Sequence, residues 1–326
     1  MTTLPYLDAS AVSALRPRDA VEALLTALRD GLDPTQGTPR TFVPLTHGEY
    51  IVMPAENGAD TGVKIVTVAP RNRERGLPRI QGIYVLFDAR TLAPRALLDG
   101  IELTALRTPA VSLAGVRQHL LADTGPLHVV AYGVGIQAVR HVATAADVVE
   151  GVRTVASVTY VARDPRTAEV PELVGVPTRV VAVDSAAAAE AVGAAGLILC
   201  ATSAREPVFD GTLVADDAIV VAVGSHDPDA REVDEHLVGR SRVVVEDRRT
   251  ALREAGDVVM AVAAGTLDPL SLVTLAEVSA EPVHAAGRPV FFKSVGMAWE
   301  DLVVAAAALD AVTGFSATPA VVAEAP

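Results

Sequence analysis

The stretch Leu127-His128-Val129-Val130-Ala131-Tyr132-Gly133-Val134-Gly135-Ile136-Gln137-Ala138 decides the fold. A mostly apolar run of six residues leads straight into a G-x-G-x-x-A turn, and apolar residues at helical spacing lead out of it from Gln137 to Val149. Strand, glycine turn and helix in that order are what a dinucleotide's phosphates require. The first glycine, Gly133, makes the tight turn. The second, Gly135, lets the backbone approach the pyrophosphate with no Cβ in the way. Ala138 is small enough for helix and strand to pack closely, which an ordinary strand–helix turn would not demand. The helix start at Ile136 and Gln137 then offers free N–H groups and a partial positive charge to the phosphates.

Downstream, the same rhythm repeats. Short apolar runs at Ser157–Val161, Thr178–Val183, Leu197–Ala201, Ala218–Val223 and Arg242–Val245 alternate with helical segments such as Ala186–Ala194. Buried runs alternating with helices predict parallel strands joined by crossovers, an α/β doubly wound (Rossmann) sheet. Upstream, the pattern differs. A helix is predicted over Arg18–Asp30, stopping at Gly31. Extended runs broken by Pro and Gly follow at Thr41–Leu45, Tyr50–Met53, Val63–Val68, Gly82–Phe87 and Arg95–Leu98, which predicts a largely antiparallel or mixed sheet. Thr104–Leu121 returns to helical spacing and Ala122–Pro126 reads as a linker. The apolar helix predicted over Glu300–Val312 comes after the last strand run and can pack back on the first domain. The 326 residues therefore divide into two domains: residues 1–121 with 302–326, and residues 122–301.

Half of the residues are hydrophobic but only 4% are aromatic, so Ala, Val and Leu must fill the core. The net charge of −13 is a poor match for nucleic acid or an anionic membrane, and favours a small-molecule partner. A single cysteine, Cys200, lies in an apolar run. It allows no internal disulfide and reads as a buried thiol. The first ten residues lack a basic segment and an apolar segment, and no apolar run reaches the roughly 20 residues that span a bilayer, so a cytoplasmic protein is expected. His47, His119, His128, His141, His236 and His284 show no metal-ligand spacing, and no metal is expected.

The end of the second strand of this sheet bears on which dinucleotide binds. An acidic residue there suits the ribose hydroxyls of NAD. Here Arg163 comes first, with Asp164 behind it and Arg166 and Thr167 close by. A guanidinium suits a 2′-phosphate, so NADPH is favoured, while Asp164 leaves NADH open.

Several first-domain motifs form a recognisable set: Met53-Pro54, Val63-Lys64-Ile65-Val66, Asn72, Gly76-Leu77-Pro78, Asp99-Gly100 and Thr104-Ala105-Leu106-Arg107-Thr108. With the glycine turn, and with Thr202-Ser203, Ala222-Val223-Gly224, Arg231-Glu232-Val233-Asp234, Glu254-Ala255-Gly256-Asp257, Lys293-Ser294-Val295-Gly296 and Glu300-Asp301-Leu302, the chain resembles the ornithine cyclodeaminase/μ-crystallin family over nearly its whole length. The resemblance implies a Rossmann domain joined to a smaller α+β domain for substrate binding and dimerisation, a homodimer, and a nicotinamide cofactor. It implies hydride transfer at the α-carbon of an amino or imino acid.

On that resemblance Arg40 and Arg107 bind the substrate carboxylate, for which the planar guanidinium fork is suited, and Met53 borders the substrate. Lys64, set in an apolar strand, either bonds the carboxylate or donates a proton near the imine nitrogen; simple alternation could instead point it to solvent. The cofactor is expected against Thr108, Gly133, Gly135, Ile136, Gln137, Ala138, Arg163, Thr202, Val223, Ser294 and Val295. The segment Gly224-Ser225-His226-Asp227-Pro228 departs from the cyclodeaminases, which carry an Asp where His226 stands. Their acidic residue two positions before Met-Pro is Ile51 here. Losing two carboxylates weakens the case for a diamine substrate and leaves imine reduction intact. His226 is then an acid or a polar contact. The expected function is NAD(P)H-dependent reduction of cyclic ketimines such as Δ1-pyrroline-2-carboxylate or Δ1-piperideine-2-carboxylate. The alternatives are an ornithine cyclodeaminase-type lyase, a related amino-acid dehydrogenase or synthase, and a non-catalytic ligand-binding protein.

Overall fold

The computed structural model describes residues 4–281 and 287–314. In chain order the elements are β1 (Tyr6–Leu7), α1 (Ala9–Val12), α2 (Pro17–Arg29), β2 (Thr41–Leu45), β3 (Gly48–Glu56), β4 (Asp60–Val68), β5 (Ile80–Asp88), β6 (Pro94–Asp99) and α3 (Gly100–Ala122). Then follow β7 (Leu127–Tyr132), α4 (Ile136–Val149), β8 (Val155–Ala162), β9 (Thr178–Ala182), α5 (Ala186–Gly193), β10 (Leu197–Cys200), β11 (Ile219–Ala222), α6 (Glu235–Arg240), β12 (Arg242–Val245), α7 (Arg248–Glu254), α8 (Gly256–Ala263), β13 (Val273–Thr274), α9 (Leu275–Ala280), β14 (Val290–Lys293) and α10 (Ala298–Thr313). His284 and residues 315–326 lie outside the described residues.

The strands form two sheets. Six of them run β1-β6-β5-β4-β3-β2, antiparallel except for β1 beside β6. Eight run β13-β12-β14-β11-β10-β7-β8-β9, all parallel. From β7 the chain winds outward through β8 and β9, then returns to lay β10 on the other side of β7. That reversal is a topological switch point, where open α/β sheets leave a crevice beyond their strand ends.

Period-two alternation sorts the eight-stranded sheet into two cores. Val129, Ala131, Leu197, Leu199, Val221 and Phe292 face one way, into a core continuous with the first sheet and α3. Val130, Tyr132, Ile198, Cys200, Val220 and Phe291 face the other. Cys200 is buried there, as its apolar run predicts.

In the antiparallel sheet, cross-strand register puts Met53, Lys64, Tyr84 and Leu98 in one row. All four are buried. The neighbouring row, Val52, Ile65 and Ile83, is on the opposite face. That inner face is covered by α3 and α10. Helix α10 lies against α2, α3, β3, β4 and β5.

Each extended run read from the sequence is a strand, and each of the five helical patterns is a helix. The short strands β1, β13 and β14 and the short helices α1 and α6–α9 are additions. Two to eight residues carry too little periodicity to read. Strand β14 is the consequential one, because it inserts between β11 and β12 rather than extending the sheet in sequence order.

Candidate active site

The phosphate turn has the geometry its sequence predicts. Gly133 has φ +103°, and a Cβ there would lie 2.6 Å from the Ala201 carbonyl oxygen. Gly135 is the N-cap of α4, no side chain caps the helix, and a Cβ on it would meet nothing within 4 Å. An uncapped helix start facing open space is an anion site by construction. Gly133, Val134, Gly135, Arg163, Asp164 and Thr202 border a cavity of about 630 Å³ at the switch point. The residues present fit a dinucleotide there. Ile136 is exposed beside it, and Ala138 is fully buried against the sheet. Arg163 is exposed at the end of β8. The Asp164 carboxylate is turned onto Arg166, which donates from Nε and Nη2 at 2.9 Å each.

The second half of the site is a buried charge cluster. Alternation along β4 points Lys64 inward, 2% exposed, not to solvent. Its Nζ lies 2.7 Å from Asp301 Oδ2 and donates to Oδ1 at 2.9 Å. Arg107, in the middle of α3, donates from Nε to Asp301 Oδ1 at 3.2 Å and from Nη1 to Glu300 Oε2 at 2.8 Å. Both acids sit in the first turn of α10 and are wholly buried. Burial lowers the Lys64 pKa to about 8, with Asp301 opposing and Arg107 reinforcing the shift. Burial, then the Glu246 carboxylate nearby, push the Glu300 carboxyl well above the usual range. Gln137 joins the two halves: its Nε2 donates to the Thr104 carbonyl at 3.4 Å, and Lys64 Nζ donates to the Thr104 hydroxyl at 3.4 Å. The Gln137 Oε1 is buried with no hydrogen-bond partner among the described residues.

Glu246 organises the loop after β14. It accepts from the Ser294 hydroxyl at 2.7 Å, from Val295 N at 2.8 Å and from Gly296 N at 3.0 Å. Gly296, at φ +76°, lies against Arg107, where a Cβ would come within 2.9 Å of Nη1. Arg40 donates to the carbonyls of Val295 (3.1 Å) and Gly296 (2.8 Å) and pairs with Glu254 at 3.2 Å. Met53, Arg40, Gly296 and Trp299 share the wall of a second cavity, about 170 Å³. His226 is exposed. Its pKa is lowered, first by the partial loss of water around the ring and then by the Arg40 charge.

Three of the expected cofactor residues have other engagements. The Thr108 hydroxyl donates to Thr104 O within its own helix, and the Ser294 hydroxyl is held by Glu246. Thr202 gives both its N–H and its hydroxyl to Glu232 Oε1, at 2.7 Å each. Glu232 Oε2 also accepts from Gly224 N at 2.7 Å, so one buried carboxylate ties the loops after β10 and β11 together. Val223 lies at the end of β11 and donates its N–H to Cys200 O at 2.9 Å. Beneath them Asp257 accepts from Glu232 N and Val233 N and pairs with Lys293 at 2.7 Å, both side chains fully buried. Sequence reasoning quotes Glu300, Asp301, Asp257 and Lys293 as motif letters but assigns them no partner. The available signal is a set of charged residues bordering apolar runs, which burial tolerates only in pairs.

The chain is 32% identical over 314 residues to the Δ1-pyrroline-2-carboxylate/Δ1-piperideine-2-carboxylate reductase of Azospirillum brasilense, spanning 95% of this chain and 97% of that one. It is 33% identical over 290 residues to the ketimine reductase mu-crystallin of Mus musculus, spanning 87% and 88%. Among solved structures, the Δ1-pyrroline-2-carboxylate reductase of Thermococcus litoralis in complex with NADH and L-proline superposes with a TM-score of 0.82 at 27% identity, over 95% of this chain and 98% of that one. Over residues 9–314 the sequence matches the ornithine cyclodeaminase/mu-crystallin family, and the chain belongs to that family.

Proposed function

We propose that this chain is an NAD(P)H-dependent reductase of cyclic ketimines, converting Δ1-pyrroline-2-carboxylate and Δ1-piperideine-2-carboxylate to L-proline and L-pipecolate. The observation that carries this reading is the buried Lys64–Arg107 pair, which lies behind Met53 and Gly296 of the second cavity's wall. Arg107 shares Asp301 with Lys64, and its second acid, Glu300, is driven toward the neutral form. The guanidinium therefore keeps charge in reserve for a substrate carboxylate, with Arg40 on the same Gly296 turn that packs on Arg107. The reduced nicotinamide, when bound, supplies the hydride for the imine carbon. Lys64, with a pKa near 8, is protonated at neutral pH and can pass a proton to the imine nitrogen. His226, whose pKa is lowered, serves at neutral pH as a polar contact rather than an acid.

NADPH is the preferred cofactor in this reading, since Arg163 at the end of β8 has no hydrogen bond or ion pair among the described residues while Asp164 is occupied by Arg166. The protein works in the cytoplasm as a homodimer. No helix among the described residues is long and apolar enough to cross a membrane. The replacement of two cyclodeaminase carboxylates by Ile51 and His226 speaks against ammonia release from ornithine. The deciding experiment follows NADPH and NADH oxidation with each ketimine. Turnover giving L-proline or L-pipecolate is expected, and failure with both substrates overturns the reading. Ammonia release from L-ornithine without added reductant would establish the lyase instead.

A further inference from the structure

Glu246 joins the two arginines assigned to the substrate carboxylate. It is buried and follows β12 directly. Its Oε1 accepts from the Ser294 hydroxyl at 2.7 Å and from Gly296 N at 3.0 Å, and its Oε2 accepts from Val295 N at 2.8 Å. The next amide of the same turn, Met297 N, donates instead to Glu300 Oε1 at 2.8 Å. Three successive backbone N–H groups thus divide between two carboxyl groups, and these lie within hydrogen-bond reach of each other. The carbonyls of the turn, at Val295 and Gly296, hold Arg40, and Gly296 lies against Arg107. Charge in this cluster balances only with an added proton. Glu246, Glu300 and Asp301 are three buried carboxyl groups, and the buried cations set against them are Lys64 and Arg107. Arg40 pairs with Glu254. Two buried carboxyl groups in contact do not both ionise, because neither repulsion nor lost water is offset. The hydrogen bonds say which one holds the proton. Glu246 already accepts from three donors, whereas Glu300 accepts from two, Met297 N and Arg107 Nη1, and keeps room for an O–H.

We propose that Glu246 and Glu300 share one proton, carried by Glu300 and donated to Glu246, and that Glu246 is a positioning residue that keeps Arg107 free for the substrate carboxylate. This rests on the reductase reading above and adds a residue to it. A neutral Glu300 still orients the guanidinium through its 2.8 Å contact but does not cancel its charge. The incoming carboxylate then meets a cation whose one charged partner, Asp301, is shared with Lys64. Without the charge and the acceptor that Glu246 supplies, Glu300 ionises, pairs fully with Arg107 and competes with the substrate. The same carboxylate holds the turn whose carbonyls fix Arg40, so one residue sets both arginines.

Infrared spectra of the full-length protein at neutral pH test the proton itself. The expected signal is a carboxylic-acid C=O band that shifts in deuterium oxide and disappears both in Glu300→Gln and in Glu246→Gln. A wild type without the band, or a band that survives in Glu300→Gln, overturns the proposal. Steady-state kinetics with NADPH and Δ1-pyrroline-2-carboxylate test the consequence. KM for the imine is expected to be about tenfold higher in Glu246→Gln than in Glu300→Gln, the scale of one charge-assisted contact, with a much smaller difference in kcat. Adding Glu300→Gln to Glu246→Gln should bring KM back down, because no carboxylate then faces Arg107 from that side. A purely structural tie gives the opposite, a double variant worse than either single one. That result, or equal KM in the two single variants, overturns the proposal. Thermal melts check folding; should Glu246→Gln not fold, the band in the wild type and in Glu300→Gln decides. Absence of turnover in the wild type overturns the reductase reading, and the band then decides the shared proton by itself.

Discussion

At the residue scale Lys64 sets the pH behaviour. Its ammonium is buried on the inner face of the first sheet beside Asp301 and Arg107, and burial outweighs the Asp301 charge, so its pKa is lowered from 10.5 to about 8. If it protonates the imine, only the protonated form works, so kcat is expected to hold below pH 8 and to fall as pH rises through that value. Lys64→Met should lower kcat by about 10²–10⁴-fold, the usual worth of a positioned acid. Lys64→Arg should keep the charge and lose the limb near pH 8. A kcat profile of the three proteins across about pH 6–10 checks the assignment. A limb that survives in Lys64→Arg would move it to another group. Arg163 governs cofactor choice at the other end of the site. Arg163→Ala should lower the NADPH-over-NADH ratio of kcat/KM about tenfold. An unchanged ratio would remove Arg163 from the 2′-phosphate.

At the element scale two glycines in one turn play separable parts. Gly133 sits at φ +103° against the Ala201 carbonyl. Alanine there must move β7 and β10 apart, and Gly133→Ala should cost about 1–3 kcal/mol of stability. Gly135 has φ −82° and open space beside it. Gly135→Ala should leave the melting temperature unchanged and raise KM for the dinucleotide, because the new methyl group occupies the phosphates' place. Thermal melts and cofactor titrations on the two variants distinguish folding from binding. Strand β14 is held in the sheet partly by chemistry at its end. Lys293 and Asp257 are both fully buried, and removing one charge leaves the other unpaired. Lys293→Met should destabilise by about 3–5 kcal/mol in urea unfolding. A loss under 1 kcal/mol, on the scale of about 0–1 kcal/mol for an exposed pair, would mean that water reaches Asp257.

At the scale of the whole molecule, no element among the described residues covers the outer face of the six-stranded sheet. Val52, Ile65 and Ile83 form one cross-strand row on it, with Val43 and Tyr50 in the next. Val43, Tyr50 and Ile83 are exposed. A contiguous apolar sheet face of this kind marks an interface, and a two-fold dimer is the commonest way to bury it. The wild type should run as a dimer in light scattering at micromolar concentration. Ile65→Asp with Ile83→Asp should run as a monomer. A monomeric wild type would leave the face for another partner.

The sequence by itself determined what is local. Alternation, helical spacing and a glycine turn specify the parallel sheet, the antiparallel sheet, α3, α4 and the phosphate site, because each pattern repeats within a few residues. It also marked Ile51 and His226 as departures from a lyase, a matter of residue type alone. Only the tertiary structure decided where the charges go. Lys64 meets Asp301 across 237 residues and Arg107 meets it across 194, and no local period encodes such a pairing. The return of α10 onto the first sheet brings Glu300 and Asp301 to the two cations. The insertion of β14 carries Gly296 onto Arg107, and α7 brings Glu254 to Arg40. The glycine turn states that a dinucleotide binds, while these long-range contacts, set by burial and paired charge, decide what lies beside it.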